Sequence, residues 1–178
     1  MAFEAVGTAE GSREVEVRAR VSGILEKRVY NEGEPVKAGA VLFRIEREPF
    51  EIALAQAEAA LGEAQAREEQ AKREVERLKT LVDQGAIGRK EYDDAVSALK
   101  LATAAIAGAK ARVEEAKLNL SYTTVTAPIG GITGRAVRSE GTLVQAGTES
   151  SLLTTVVQMD PVWIRFSLPE ADFERLRG

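Results

Sequence analysis

The sequence contains neither cysteine nor histidine among its 178 residues. Without them the chain cannot build a zinc site, a Cys–His nucleophile pair or a Ser-His-Asp triad, so most catalytic designs are excluded at the outset. Zero cysteine also removes any disulfide framework, although it does not fix the compartment. Aromatic residues are only 5% of the chain, which is low for a single globular core and points to an elongated shape. The balance of charge is weakly acidic, −4 overall, and lacks the basic stripe with interleaved aromatics expected of a nucleic-acid binder. The longest apolar stretch, Leu101 to Ala109, falls far short of the ~20 residues that cross a bilayer. The start, Met1-Ala2-Phe3-Glu4-Ala5, shows no basic segment followed by an apolar one and so reads as no signal peptide. If the natural protein is exported or anchored, the expectation is that this chain is a trimmed version of it.

What the sequence does contain is a repeat. Ser22-Gly23-Ile24-Leu25-Glu26-Lys27-Arg28-Val29-Tyr30-Asn31-Glu32-Gly33 recurs as Gly130-Gly131-Ile132-Thr133-Gly134-Arg135-Ala136-Val137-Arg138-Ser139-Glu140-Gly141. The match continues with Val36 against Val144, Ala38 against Ala146 and Gly39 against Gly147. Both copies read as short strands punctuated by glycines, with Val15, Val17, Ala19 and Val21 alternating in the approach. Two such half-motifs predict a small β-sandwich with internal pseudo-symmetry.

Between the copies lies a segment of different character. From Pro49, a natural first-turn residue, to Asn119 it is rich in the strong helix formers Ala, Glu, Gln, Lys, Arg and Leu. The one interruption, Gln84-Gly85-Ala86-Ile87-Gly88, reads as a turn. A 3-4 spacing runs Leu54, Ala57, Leu61, Ala64, Glu68, Ala71, Val75, Leu78, Val82 on the first predicted helix. On the second it runs Tyr92, Ala95, Leu99, Ala102, Ile106, Ala109, Val113, Ala116, Leu120. These are heptad seams, broken only by Glu68. Folded back at the loop they predict an antiparallel coiled coil with helices roughly 45–55 Å long. Glu63–Arg67, Glu68–Lys72 and Glu69–Arg73 read as a solvated face. Val96, Ala98, Leu101, Ala104, Ala105 and Ala107 leave an alanine-rich surface beyond the second seam, suited to sideways packing on a neighbouring hairpin.

A β-sandwich of two half-motifs split by an antiparallel coiled coil resembles the membrane fusion proteins, or periplasmic adaptors, of bacterial tripartite efflux systems. The stretch Val17-Arg18-Ala19-Arg20-Val21-Ser22-Gly23-Ile24 is similar to that family's entry into its lipoyl-like domain. Leu120-Ser121-Tyr122-Thr123-Thr124-Val125-Thr126-Ala127-Pro128-Ile129-Gly130-Gly131 is similar to its re-entry after the hairpin. Met159-Asp160-Pro161-Val162-Trp163-Ile164-Arg165-Phe166-Ser167-Leu168 resembles the start of the β-barrel domain in adaptors of resistance-nodulation-division (RND) transporters, and the alternation of Val162, Ile164, Phe166 and Leu168 reads as a half-buried strand. At the hairpin tip the family carries an arginine, a leucine four positions on and a serine seven beyond that, which contact an outer-membrane channel. Here these positions fall on Arg77, Leu81 and Gly88. The first two match; glycine replaces the serine, which puts one tip hydrogen bond in doubt.

The resemblance implies an α+β chain in which a long antiparallel hairpin projects from a lipoyl-like β-sandwich, with partial β-barrel strands at the termini. Its expected divisions are 1–14, a partial barrel strand; 15–48, the first lipoyl-like half; 49–121, the hairpin; 122–154, the second half; and 155–178, the start of a truncated barrel, with Phe3 to Thr8 beside Val162 to Leu168. It further implies a non-enzymatic, cofactor-free adaptor in the periplasm at the inner membrane, joining an inner-membrane drug or solute transporter to an outer-membrane channel. It also implies a homo-oligomer, a hexamer in the assembled pump, with no nucleic acid partner. The alternatives are a lipoyl or biotinyl carrier and a generic coiled-coil scaffold. A carrier needs a lysine after the first half-motif, where the sequence reads Glu46-Arg47-Glu48-Pro49 with no lysine between Lys37 and Lys72; a bare scaffold leaves the flanking repeat unexplained. Direct metal handling would call for Met or His ligands, and only Met1 and Met159 are present. Gly130-Gly131-Ile132-Thr133-Gly134-Arg135 lacks the spacing of a phosphate loop.

Overall fold

In the computed structural model, residues 7–166 are described. They fall into two units: a β unit from the two ends of the chain, up to Glu46 and from Thr123, and a helical unit, Arg47–Tyr122.

The β unit contains β1 (Gly7–Arg18), β2 (Gly23–Arg28), β3 (Pro35–Val36), β4 (Val41–Ile45), β5 (Thr124–Thr126), β6 (Gly131–Thr133), β7 (Leu143–Val144) and β8 (Leu152–Phe166). Period-2 alternation sets the inner face as the approach to β2 begins. Val17, Ala19 and Val21 are buried while Glu16, Arg18 and Arg20, alternating with them, are exposed. The strands form two four-stranded sheets, β1-β8-β6-β3 and β5-β4-β2-β7. Leu25, Leu42, Phe43, Ile45 and Val144 from one sheet and Leu153 and Val156 from the other are fully buried, and the edge of Tyr30 packs on Phe43 at 5.3 Å. Burial pushes the Tyr30 phenol pKa up. Leu42 and Phe43 are consecutive yet both buried, because the β4–β5 ladder slips between Val41 and Phe43.

The repeat is visible as crosswise pairing. Gly23 and Ile24 of β2 face Val144 and Leu143 of β7; the equivalent residues of β6, Gly131 and Ile132, face Val36 and Pro35 of β3. Leu25 N–H donates to the Thr142 carbonyl and Gly141 N–H to the Leu25 carbonyl; the same pair of bonds joins Thr133 to Glu34 and Gly33 to Thr133. Gly33 and Gly141 carry φ of 79° and 83°, a left-handed conformation that a side chain disfavours, which fixes both turns as glycine. Where the first copy buries Leu25, the second buries Thr133, whose hydroxyl donates to the Asn31 and Glu34 carbonyls of the first half. Each sheet thus draws strands from both halves of the chain, and neither half completes a sheet alone.

The terminal ribbon differs from expectation in one respect. Thr8 pairs with Arg165 and Gly7 with Phe166, so the described parts of the two terminal strands are neighbours; Phe3 and Leu168 lie outside the described residues. Val162 and Ile164 are not half-buried: they are 42% and 69% exposed, as is Trp163 at 67%. The ladder there is a bare pair of strands, and among the described residues no second layer covers either face, so alternation has no interior to point into. β1 and β8 continue as strands through positions 14 and 154, and their ladder is irregular at two places, between Gly11 and Arg13, opposite Gln158 to Val162, and between Val17 and Arg18, opposite Leu152 to Thr154.

The helical unit consists of α1 (Glu48–Asp83) and α2 (Arg89–Ser121), of 36 and 33 residues, which at 1.5 Å per residue makes them about 54 and 50 Å long. Pro49 and the carboxylates of Glu48 and Glu51 open α1 as its dipole favours. The helices pack along one seam. Leu54, Ala57, Leu61, Ala64, Glu68, Ala71, Val75, Leu78 and Val82 are half-buried on α1; so are Tyr92, Ala95, Leu99, Ala102, Ile106, Ala116 and Leu120 on α2, where Ala109 and Val113 are buried. Glu68, the polar break in the seam, accepts a cross-helix hydrogen bond of 2.8 Å from the Thr103 hydroxyl.

Candidate functional site

The turn between α1 and α2 is built by backbone chemistry. Gly85, at φ 70°, lies just past the α1 C-cap Gln84. Its N–H donates to the Val82 carbonyl, and Ala86 N–H donates to the Leu81 carbonyl, both at 2.9 Å. This bond pair is the Schellman arrangement, which satisfies the last free carbonyls of α1 and reverses the chain. Gly88, at φ −75° and ψ 156°, caps α2 without any side-chain hydrogen bond.

The three residues singled out at the tip have different surroundings. Arg77 is exposed, and its guanidinium donates to Glu74 through Nε at 3.0 Å and Nη2 at 2.6 Å. That hydrogen bonding, with the charge beside it, holds the Glu74 carboxyl below its ordinary pKa and raises that of Arg77. Leu81, one turn on from Arg77 on the same helix face, is half-buried beside the seam residue Val82. At Gly88 a Cβ would stand 2.7 Å from Glu91 Oε2, so the Glu91 carboxylate fills the space a side chain there would enter. The structure brings Arg77 and Leu81 onto one stretch of α1 and puts Gly88 across the turn.

Sequence reasoning did not single out Lys79 and Arg89, which flank the turn. A cleft of roughly 280 Å³ is lined by Lys79, Val82, Asp83, Arg89 and Tyr92. Among the described residues none of its three charged side chains makes an ion pair. The available signal was a cation on each side of the glycine turn, four and fewer positions from the seam. Away from the tip, Leu101 is 74% exposed above a shallow groove of about 550 Å³ that includes Ala60, Ala64, Ala105 and Gly108. Among the described residues no group of three His, Cys, Asp or Glu side chains could hold a metal ion, and no helix is long and apolar enough to cross a membrane. The arrangement offers surface and charge: a tight tip with exposed cations and an alanine-rich helix face.

Three comparisons bear on this arrangement. The profile of the family described as "RND MFP, barrel-sandwich hybrid domain" matches residues 13–156. The chain is 43% identical over 179 residues to the efflux pump periplasmic linker BepD of Brucella suis, covering 99% of this chain and 45% of that protein. It is 38% identical over 174 residues to the multidrug efflux pump subunit AcrA of Escherichia coli, covering 98% and 44%. The chain therefore spans less than half the length of these curated relatives. Among solved structures, a MacA-MexA chimeric protein containing the Pseudomonas aeruginosa MexA α-hairpin domain superposes with a TM-score of 0.67 at 32% identity, over 96% of this chain and 55% of that one.

Proposed function

The chain belongs to the RND membrane fusion protein family, and on that premise we propose that it is part of a periplasmic adaptor joining an inner-membrane efflux transporter to an outer-membrane channel. The observation that carries this reading is the helical unit inserted between β4 and β5. These strands are paired neighbours, Arg44 opposite Thr124, where an ordinary β-hairpin needs only a short turn. The chain instead spends residues 47–122 there, on two helices with scarcely any buried interior of their own. Such an element is explained by what its tip and flanks touch. Relatives named as a periplasmic linker and as a multidrug efflux pump subunit support the same assignment.

On this reading the adaptor acts mechanically in the periplasm, with no chemical step and no cofactor. Residues 15–48 and 122–154 are the lipoyl-like halves, 49–121 the hairpin, and 1–14 and 155–178 the barrel strands. Arg77, Leu81 and the Gly88 turn meet the channel. Six copies close a ring by repeated head-to-tail contacts, hairpin beside hairpin along the alanine-rich face of α2. A photoreactive residue at position 81 of the full-length protein tests this in cells: a crosslink to an outer-membrane channel is expected. Crosslinks to cytoplasmic proteins alone, or to none, with the protein well expressed, would remove the tip assignment in favour of a scaffold.

A further inference from the structure

The arginine that sequence places at the tip is already engaged. Nε and Nη2 of Arg77 donate to Glu74 in an exposed pair, which a partner's carboxylate would have to displace. Lys79 and Arg89 are the reverse case. They line one cleft from opposite sides of the turn, with Val82 and Tyr92 as its half-buried apolar part. Asp83 is the cleft's one carboxylate, so two cations face a single anion. Arg89 is also the first residue of α2; the Glu91 carboxylate beside Gly88 already meets the positive end of that helix, so the cleft's charge rests on its own lining side chains.

We infer that this cleft is a receptor for a carboxylate-bearing side chain of the outer-membrane channel, an inference that rests on the adaptor reading above. An Asp or Glu entering between Lys79 and Arg89 balances the charge, two against two. The Tyr92 ring and Val82 shed water beside it, which strengthens charge-assisted hydrogen bonds relative to an open surface. Lys79 and Arg89, beside the Arg77–Leu81 stretch, then help set which channel the tip accepts.

The test is efflux-dependent resistance in an adaptor-null strain producing the full-length protein, alongside the crosslink from position 81. Lys79→Glu/Arg89→Glu is expected to lower resistance by at least about 10-fold and to abolish the crosslink to the channel, because reversed charges repel the partner they should hold. Lys79→Gln/Arg89→Gln, which only neutralises, is expected to give a smaller loss, and Lys100→Glu, on α2 away from the tip, none. Circular dichroism of the purified variants checks that the helices are intact. Second-site suppressors of the double reversal should be acid-to-base changes at the periplasmic end of the channel. Wild-type resistance in the double reversal overturns the inference while leaving the adaptor reading standing. So do suppressors that arise in the transporter, or in this chain as a second copy. A wild-type protein that itself fails to restore resistance brings down the adaptor reading and the cleft with it.

Discussion

The β unit and the hairpin hold themselves together in opposite ways. In the β unit Leu25, Leu42, Phe43, Ile45, Val144, Leu153 and Val156 have no exposure at all. In the hairpin α1 has no buried residue and α2 only Ala109 and Val113. The cause is geometric. Two sheets sharing a core enclose a volume, whereas two helices touch along a line, and most seam side chains keep one flank in water. Stability is therefore concentrated in a few side chains of the β unit and spread thinly over every turn of the hairpin. A spread-out seam leaves most of both helices free to be surface.

The largest expected effect breaks that contrast if it is wrong. Phe43→Ala should destabilise by about 3–5 kcal/mol, the usual cost of emptying a fully buried aromatic site. Leu61→Ala, at a half-buried seam position, should cost about 1 kcal/mol, since only part of the side chain leaves water. Urea unfolding of both variants measures the pair; equal losses would mean that the seam is as closed as the sandwich.

A smaller effect sharpens the picture of the tip. Gly88→Ser puts an N-cap hydroxyl three residues before Glu91, completing a capping box. A Cβ there meets only the mobile end of Glu91 at 2.7 Å, which can swing aside. The gain over glycine should be a few tenths of a kcal/mol, read as a slight rise in the thermal midpoint of the helical signal. A loss instead would mean that the Glu91 carboxylate is fixed where it stands.

The smallest concerns the Arg77–Glu74 pair. The Glu74 carboxyl titrates below its ordinary range because Arg77 donates to it. A depressed carboxylate contributes stability above its unfolded pKa and loses that contribution as pH falls through the folded one, so the pair is intact at neutral pH and opens only in acid. Arg77→Ala should bring the Glu74 midpoint, followed by NMR, back up toward that of an unperturbed glutamate. An unchanged midpoint would show that the arginine spends its time elsewhere and is free to meet a partner.

The hairpin was legible because its signals are local: helix formers without proline after Pro49, a 3-4 apolar spacing, and two glycines in five residues at the turn. The paired halves were legible because the repeat carries the same glycines at the same offsets. The exposure of Val162 and Ile164 was not, since alternation reports which residues share a face but not whether anything covers it. Nor were the tip's electrostatics. Glu74 and Glu76 lie three positions and one from Arg77, and only side-chain geometry selects Glu74 as its partner.

By itself the sequence determined the elements, their order and their turns, because propensity, periodicity and the glycines that permit positive φ act over a few neighbouring residues. Tertiary structure alone decided that the two repeats would exchange strands, so that β2 pairs with β7 and β6 with β3. It also decided that Thr133 could be buried where the first copy has Leu25, and that Glu68 could stay in the seam by accepting from Thr103. Each of these depends on partners about a hundred or several tens of positions away, whose hydrogen bonds exist only once the chain has brought them together.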